Sequence, residues 1–388
     1  VLFYLICLLI MGVPVLTMEL AVGRASRRSA VLGYKALEKP GQKWHIHGWF
    51  CLLGCCLLMM YYTTVTGWMV SYFFKFLTGT FSQGMATEAV SAVFGNLLSS
   101  PGEMAIWTEI VVLAGFVVCS FGLQNGLERI TKGMMLALLV LILVLAIHSL
   151  TLSGAAEGMK FYLLPSVDSI KENGLGNVIT AAMNQAFFTL SLGIAAMEIF
   201  GSYMGDEHRL AGESVRICAL DTFVAIVSGL IIFPSCYAYG LEVTAGPALL
   251  FDTMATVFRN IPGGRVWGSL FFMFMVFAAF STELTVCENI LACVREMTGW
   301  TRKKGCLICG VVIFLISLTT ALGFSALDFH PFTPSSTWLD FWDFLVSNNI
   351  LPLGAMIIAL FCTSKRFGWG FDNLMAEANK GKGLKIKP

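Results

Sequence analysis

Charge is scarce in this chain: 13% of its 388 residues are Asp, Glu, Lys or Arg, about half the share of a soluble domain, while 57% are apolar. An ordinary soluble enzyme is excluded, and the chain reads as an all-α polytopic membrane protein. Histidine is scarce too. There are five, none in an HExxH or clustered spacing, and phosphate loops and nucleophile elbows are missing. No catalytic residue is assigned and no enzyme is expected. The twelve cysteines lack the pattern of a disulfide framework. Most lie inside apolar stretches, where a thiol packs as a small hydrophobe. Cys306 and Cys309 have the spacing of half a metal site, with no second pair to complete it. The net charge of +1 says nothing about partners, and no nucleic acid is expected among them.

What the chain has in abundance is apolar runs of membrane-spanning length. Nine are counted, near residues 1–22, 47–79, 106–123, 133–151, 177–205, 214–241, 264–294, 305–324 and 338–363. Alternating sides from residue 1, one set of links carries twenty Lys and Arg and the other five. By the positive-inside rule, residue 1 lies outside and the basic tail 366–388 lies in the cytoplasm, of a plasma (inner) membrane. The chain opens on Val1 inside an apolar run, with no leader and no cleavage pattern. At least one earlier helix is expected to precede it.

The 177–205 run carries Thr189-Leu190-Ser191-Leu192-Gly193 at its middle. A spanning helix can break at that depth only where protein or a water-filled cavity satisfies its backbone. A break there points to a site for a substrate and its coupling ion. Ionisable residues at depth are expensive, and the candidates are Glu19, Glu109, Glu198, Asp221, Glu283, Glu288 and Asp343. For Glu109 and Glu198 the interface is an equal explanation. Asp221, about a turn and a half inside its span, should face protein, water or an ion. Ala278, Ser281, Thr282 and Val286 share one helical face. Their hydroxyls and a carbonyl suit a hard cation, although such hydroxyls also commonly bond to the preceding turn or a neighbouring helix.

Several segments then resemble the neurotransmitter:sodium symporters in collinear order: MGVPVLTMELAVGR (11–24), YYTTVTGWMVSYFFKFLTG (61–79), GLQNGLERITKGMM (122–135), SGAAEGMKFYLLP (153–165), NQAFFTLSLG (184–193), FAAFSTELTVCENI (277–290) and LDFWDFLVSNNILPLG (339–354). The likeness covers essentially the whole chain and is greatest to bacterial amino-acid transporters. That family is itself one of the sources of the broken-helix generalisation. The resemblance implies a single transporter domain, 1–388, with an inverted-repeat fold. Residues 1–151 would be the remainder of the first repeat and 177–365 the second, so the chain corresponds to family helices two to ten, without the first and without anything after the tenth.

The resemblance also assigns roles. Tyr62 would hold a substrate carboxylate, Phe188 would form the lid, and Leu58, Ser191, Ile194, Thr282 and Val286 would line the remaining pocket. That mostly apolar pocket favours a hydrophobic or aromatic amino acid. Ala278, Ser281 and Thr282 match ligands of one sodium ion, and Thr189 and Asp221 match ligands of a second. Asp221 departs from the family's usual asparagine, so chloride is expected not to be required. Gln185 and Asp343 match the extracellular gate and Glu296 the intracellular one, with the partners of Asp343 and Glu296 not found in the sequence. Glu283 has no family counterpart, and a rotation of about 100° from Thr282 would aim it at a neighbouring helix. The expected function is sodium-coupled amino-acid import by alternating access. The alternatives are a ligand sensor or a transporter remnant, and no span shows a channel filter. Oligomeric state is not legible.

Overall fold

The computed structural model describes residues 1–122, 127–243 and 246–386, with 168 and 169 as backbone only. Residues 123–126 of the 122–135 motif and Lys387 of the basic tail lie outside the described residues. Among the described residues the regular structure is helical, apart from one isolated bridge between His208 and Lys382. The helices that position the site are α1 (Leu2–Ser26), α2 (Ala30–Leu37), α3 (His45–Thr78), α4 (Pro101–Ser120), α5 (Arg129–Leu150) and α6 (Leu175–Thr189). They continue with α7 (Ala196–Tyr203), α8 (Leu210–Ala238), α9 (Gly264–Thr298), α10 (Arg302–Ala321), α11 (Trp338–Thr363) and α12 (Phe371–Ala378).

Eight of these are continuous, apolar and long enough to cross a bilayer: α1, α3, α4, α5, α8, α9, α10 and α11. The ninth run, 177–205, is the interrupted pair α6 and α7. α4 and α10 each begin a few residues before the expected start, at Pro101 and Arg302. Pro101 sits in the first helical turn, where its missing N–H costs nothing. α3 and α9, at 34 and 35 residues, exceed the ~20 needed to span and pack along one another as the spine of the molecule.

In hydrocarbon there is no hydrophobic force to drive helices together, so close packing and interhelical hydrogen bonds must hold them. Both are visible. Hydroxyl pairs link Thr17 of α1 to Ser214 of α8 at 2.8 Å, Thr63 of α3 to Ser317 of α10 at 3.1 Å, and Ser149 of α5 to Ser235 of α8 at 2.8 Å. α1 and α7 cross at two glycines. A Cβ on Gly23 would strike the Glu198 carbonyl, and one on Gly201 would strike the Leu20 carbonyl. Outward-facing positions such as Leu136, Ile147 and Leu307 are exposed and apolar, as a lipid-facing surface requires.

Two helices are loosened without breaking. In α1 a π-helical turn, Leu8–Gly12, precedes Pro14, and in α11 another, Val346–Ile350, precedes Pro352. A proline cannot donate to the carbonyl four residues back, and the widened turn lets the residue before it donate one position further. Val13 donates to the Leu8 carbonyl and Leu351 to that of Val346.

Candidate functional site

The 177–205 run is interrupted differently. α6 ends at Thr189, and Ser191, Gly193 and Ala195 all take left-handed backbone conformations (φ 51°, 91° and 57°) before α7 begins. Such angles are strained for Ser and Ala, so the surroundings must impose them. They do so by supplying bonds. Ser191 and Leu192 donate back to the Phe188 and Phe187 carbonyls at 3.0 and 2.9 Å. Glu19 of α1, fully buried, accepts from the Gly193 N–H at 2.6 Å and the Met197 N–H at 3.2 Å. The Ile194 carbonyl accepts from the Asn289 amide at 3.2 Å and the Cys55 thiol at 3.3 Å, and the Gly193 carbonyl takes the Cys51 thiol at 3.6 Å. A Cβ on Gly193 would meet the Leu351 carbonyl, and one on Gly354 the Gly193 carbonyl, so α11 passes main chain against main chain.

Glu19 therefore sits where a helix start presents unpaired N–H groups and a positive dipole end. Sequence reasoning named Glu19 only as an acid at depth and gave it no role. At the other end of α7 the Tyr203 hydroxyl donates to Glu288 at 3.0 Å. Glu288 also pairs with Arg302, whose guanidinium reaches the Cys119 carbonyl. Both ends of this two-turn helix are thus tied to buried acids.

Beside the break lies a cavity of about 600 Å³. Leu58, Tyr62, Gln185, Phe188, Thr189 and Ser191 line it, as do Asp221, Ala278, Ser281 and Thr282. Its remaining wall includes Met135, Leu138 and Leu139 of α5, Ile217, Leu220 and Val224 of α8, and Met275 of α9, none of them singled out from the sequence. Their apolar character left no signal to distinguish them from packing. The Thr189 hydroxyl donates to the Asp221 carboxylate at 2.9 Å, tying the end of α6 to α8, and Tyr4 of α1 faces the same carboxylate. The Ser281 hydroxyl donates to the Ala278 carbonyl at 2.8 Å, and Tyr62 faces Thr282. The donor set is oxygen only, the chemistry a hard monovalent cation accepts. Among the described residues no group of three or more His, Cys, Asp or Glu could hold a metal ion, and all twelve cysteines are free.

Two residues expected in the pocket lie elsewhere. Val286 is buried in the helix-packing core, outside the cavity lining. Eight residues on from Ala278 it has turned through a further ~80° and moved ~12 Å along the axis. Ile194 is likewise packed in the core, its side chain against Gly54. Helical spacing from Ser191 does not carry across the left-handed residues between them. The gate residues are separate as well. Gln185 reaches the cavity, Asp343 accepts from the Ser347 hydroxyl at 2.7 Å, and Glu296 accepts from the Ser29 N–H and hydroxyl at 3.0 and 2.8 Å. Neither acid meets a cation among the described residues. Glu283 turns away from the cavity toward Gly115 of α4, fully buried and without a hydrogen-bond partner. Glu109 is exposed on α4, whereas Glu198, equally open to an interfacial reading, is completely buried.

Among the described residues, a spanning-helix bundle with an interrupted member that opens onto a mostly apolar cavity carrying a few oxygen donors has the architecture of a secondary transporter. A model of the sodium:neurotransmitter symporter family matches residues 1–93 and 83–332. The sodium-dependent transporter YhdH of Bacillus subtilis (strain 168), itself uncharacterised, is 31% identical over 381 residues, 98% of this chain and 82% of the relative. A sodium-dependent transporter of Haemophilus influenzae is 29% identical, covering 93% and 80%. The crystal structure of MhsT in complex with L-phenylalanine superposes with a TM-score of 0.88 at 34% identity, over 99% of this chain and 85% of MhsT. The chain belongs to the sodium:neurotransmitter symporter family: an integral membrane transporter, not an enzyme.

Proposed function

We propose that the protein is a sodium-coupled symporter that imports a hydrophobic or aromatic amino acid by alternating access. The observation that carries this reading is the ~600 Å³ cavity at the helix break, within the range of small-molecule sites, apolar on most sides and polar at Tyr62, Thr189, Asp221, Ser281 and Thr282. The phenylalanine in the MhsT complex supports an aromatic guest. Two sodium ions are assigned. One is held by the Ala278 carbonyl and the Ser281 and Thr282 hydroxyls, the other by Thr189 and Asp221. Tyr62 holds the guest carboxylate, with Phe188 above it. Asp221 supplies a fixed negative charge near the second ion, so chloride is not required. Residue 1 lies outside the plasma membrane and the basic tail in the cytoplasm, in keeping with the twenty-to-five distribution of Lys and Arg. Residues 1–151 and 177–365 are assigned to the two repeats.

Uptake of a panel of labelled amino acids into proteoliposomes, with and without a sodium gradient, tests the reading. Sodium-driven accumulation of aromatic or large aliphatic members is expected. Binding of those members without uptake would favour a sensor instead. In the same assay Ser281→Ala and Thr282→Ala are expected to raise the half-saturating sodium concentration, and gluconate in place of chloride is expected to leave wild-type uptake intact.

A further inference from the structure

Glu198, like Glu283, is a buried acid that the proposed transport mechanism leaves unused. It lies in the first turn of α7, is 0% exposed, and neither carboxyl oxygen finds a hydrogen-bond partner among the described residues. The titratable groups facing it are Glu19 on α1, Tyr34 on α2, Cys51 on α3, Cys293 on α9 and Cys362 on α11. None of these is a cation. The Tyr34 hydroxyl faces Glu198 without closing a bond, and the His47 ring packs edge-on against Tyr34 at 4.9 Å.

The two neighbouring acids are built for opposite charge states. Glu19 accepts backbone N–H groups at a helix start, an arrangement that holds a carboxylate. Glu198 has no backbone donor and no counter-ion, only the Tyr34 hydroxyl facing it, and a second acid, Glu19, stands beside it. A second negative charge in that dry space has nothing to offset its desolvation. We propose that Glu198 is a proton-binding site, loaded in this conformation and emptied toward the basic face of the membrane when α7 moves.

The route we assign to the proton passes Gly33. A Cβ on Gly33 of α2 would sit 2.9 Å from Glu198 Oε1 and 3.0 Å from Ser26 Oγ. The two oxygens therefore flank the same gap, no more than about 6 Å apart, a separation one bridging water can span. Ser26 is partly exposed and adjoins Arg27 and Arg28, which are exposed at the end of α1. The O–H bond of the Glu198 carboxyl breaks as its proton passes to water beside Ser26, leaving the carboxylate, and reforms on return. Resting on the proposed transport cycle, this makes protonation of Glu198 accompany the movement of α7, the proton exchanging with the basic face.

Infrared spectroscopy of the purified intact protein at neutral pH, in H2O and D2O, tests the site without any substrate. A protonated, buried carboxyl C=O band is expected that Glu198→Gln removes and Glu283→Gln retains. A carboxyl C=O region left unchanged by Glu198→Gln, or the absence of any such band from wild type, would overturn the proposal. Should Glu198→Gln not fold, Gly33→Ala, which fills the gap, is expected to slow deuterium exchange of that band at least fivefold, and unaltered exchange would count against it. Failure to find any sodium-driven substrate would sink the proposed function and leave the infrared band in place.

Discussion

α1 and α11 lose a hydrogen bond to proline and continue; the 177–205 run contains no proline and stops. The difference lies in who repairs the backbone. In these two helices the repair is internal, a π turn in which Val13 or Leu351 bonds one residue further back. At the break Ser191 and Leu192 bond back within the run, and the rest of the repair comes from other helices: a carboxyl on α1, an amide on α9 and thiols on α3. A self-repaired interruption is a flaw in one element. One repaired by neighbours is a joint, and its angles depend on where those neighbours stand.

The contrast can be broken most forcefully at Glu19. Glu19→Ala leaves two buried N–H groups without an acceptor, at about 1–3 kcal/mol each. A sharp fall in detergent thermal stability and loss of uptake are expected, and near-wild-type melting would place the repair elsewhere. Next in size is the guest. Tyr62→Phe removes one hydroxyl at nearly constant volume, and binding at saturating sodium should weaken by about 1.5–3 kcal/mol if that hydroxyl meets a carboxylate. Full retention in a radioligand assay removes Tyr62 from the site. Asn289→Leu takes one amide from the Ile194 carbonyl, which keeps the Cys55 thiol. A loss of about 1 kcal/mol is expected, read by chemical denaturation. Smallest of all should be Pro14→Ala and Pro352→Ala, below about 1 kcal/mol, because the π turns already satisfy the local carbonyls. A large effect of either on uptake would make those turns joints as well.

Much of this was readable in the residues. Nine apolar runs became eight continuous helices and one interrupted one, because spanning length and backbone satisfaction in hydrocarbon leave few alternatives. The break was marked by Thr189, Ser191 and Gly193 in an otherwise apolar run. Ile194 and Val286 escaped for a geometric reason: helical spacing fails across left-handed residues and drifts over two turns. Glu19 was visible as an expensive acid, but its partner is backbone, which has no letter in a sequence. The acidic character of Glu198 was equally plain, and only burial from five surrounding helices separates it from an acid at the interface.

Gly193 and Gly354 meet main chain to main chain, whereas much of the cavity wall is supplied by side chains of α5 and α8. The break and the cavity wall are therefore encoded at different positions. Mutation can reshape the wall at Met135, Leu139 or Val224 without touching the break. Even the smallest replacement at either glycine adds a methyl group where there is no room. The two glycines are held by main chain, while the wall is held by side chains that others could replace.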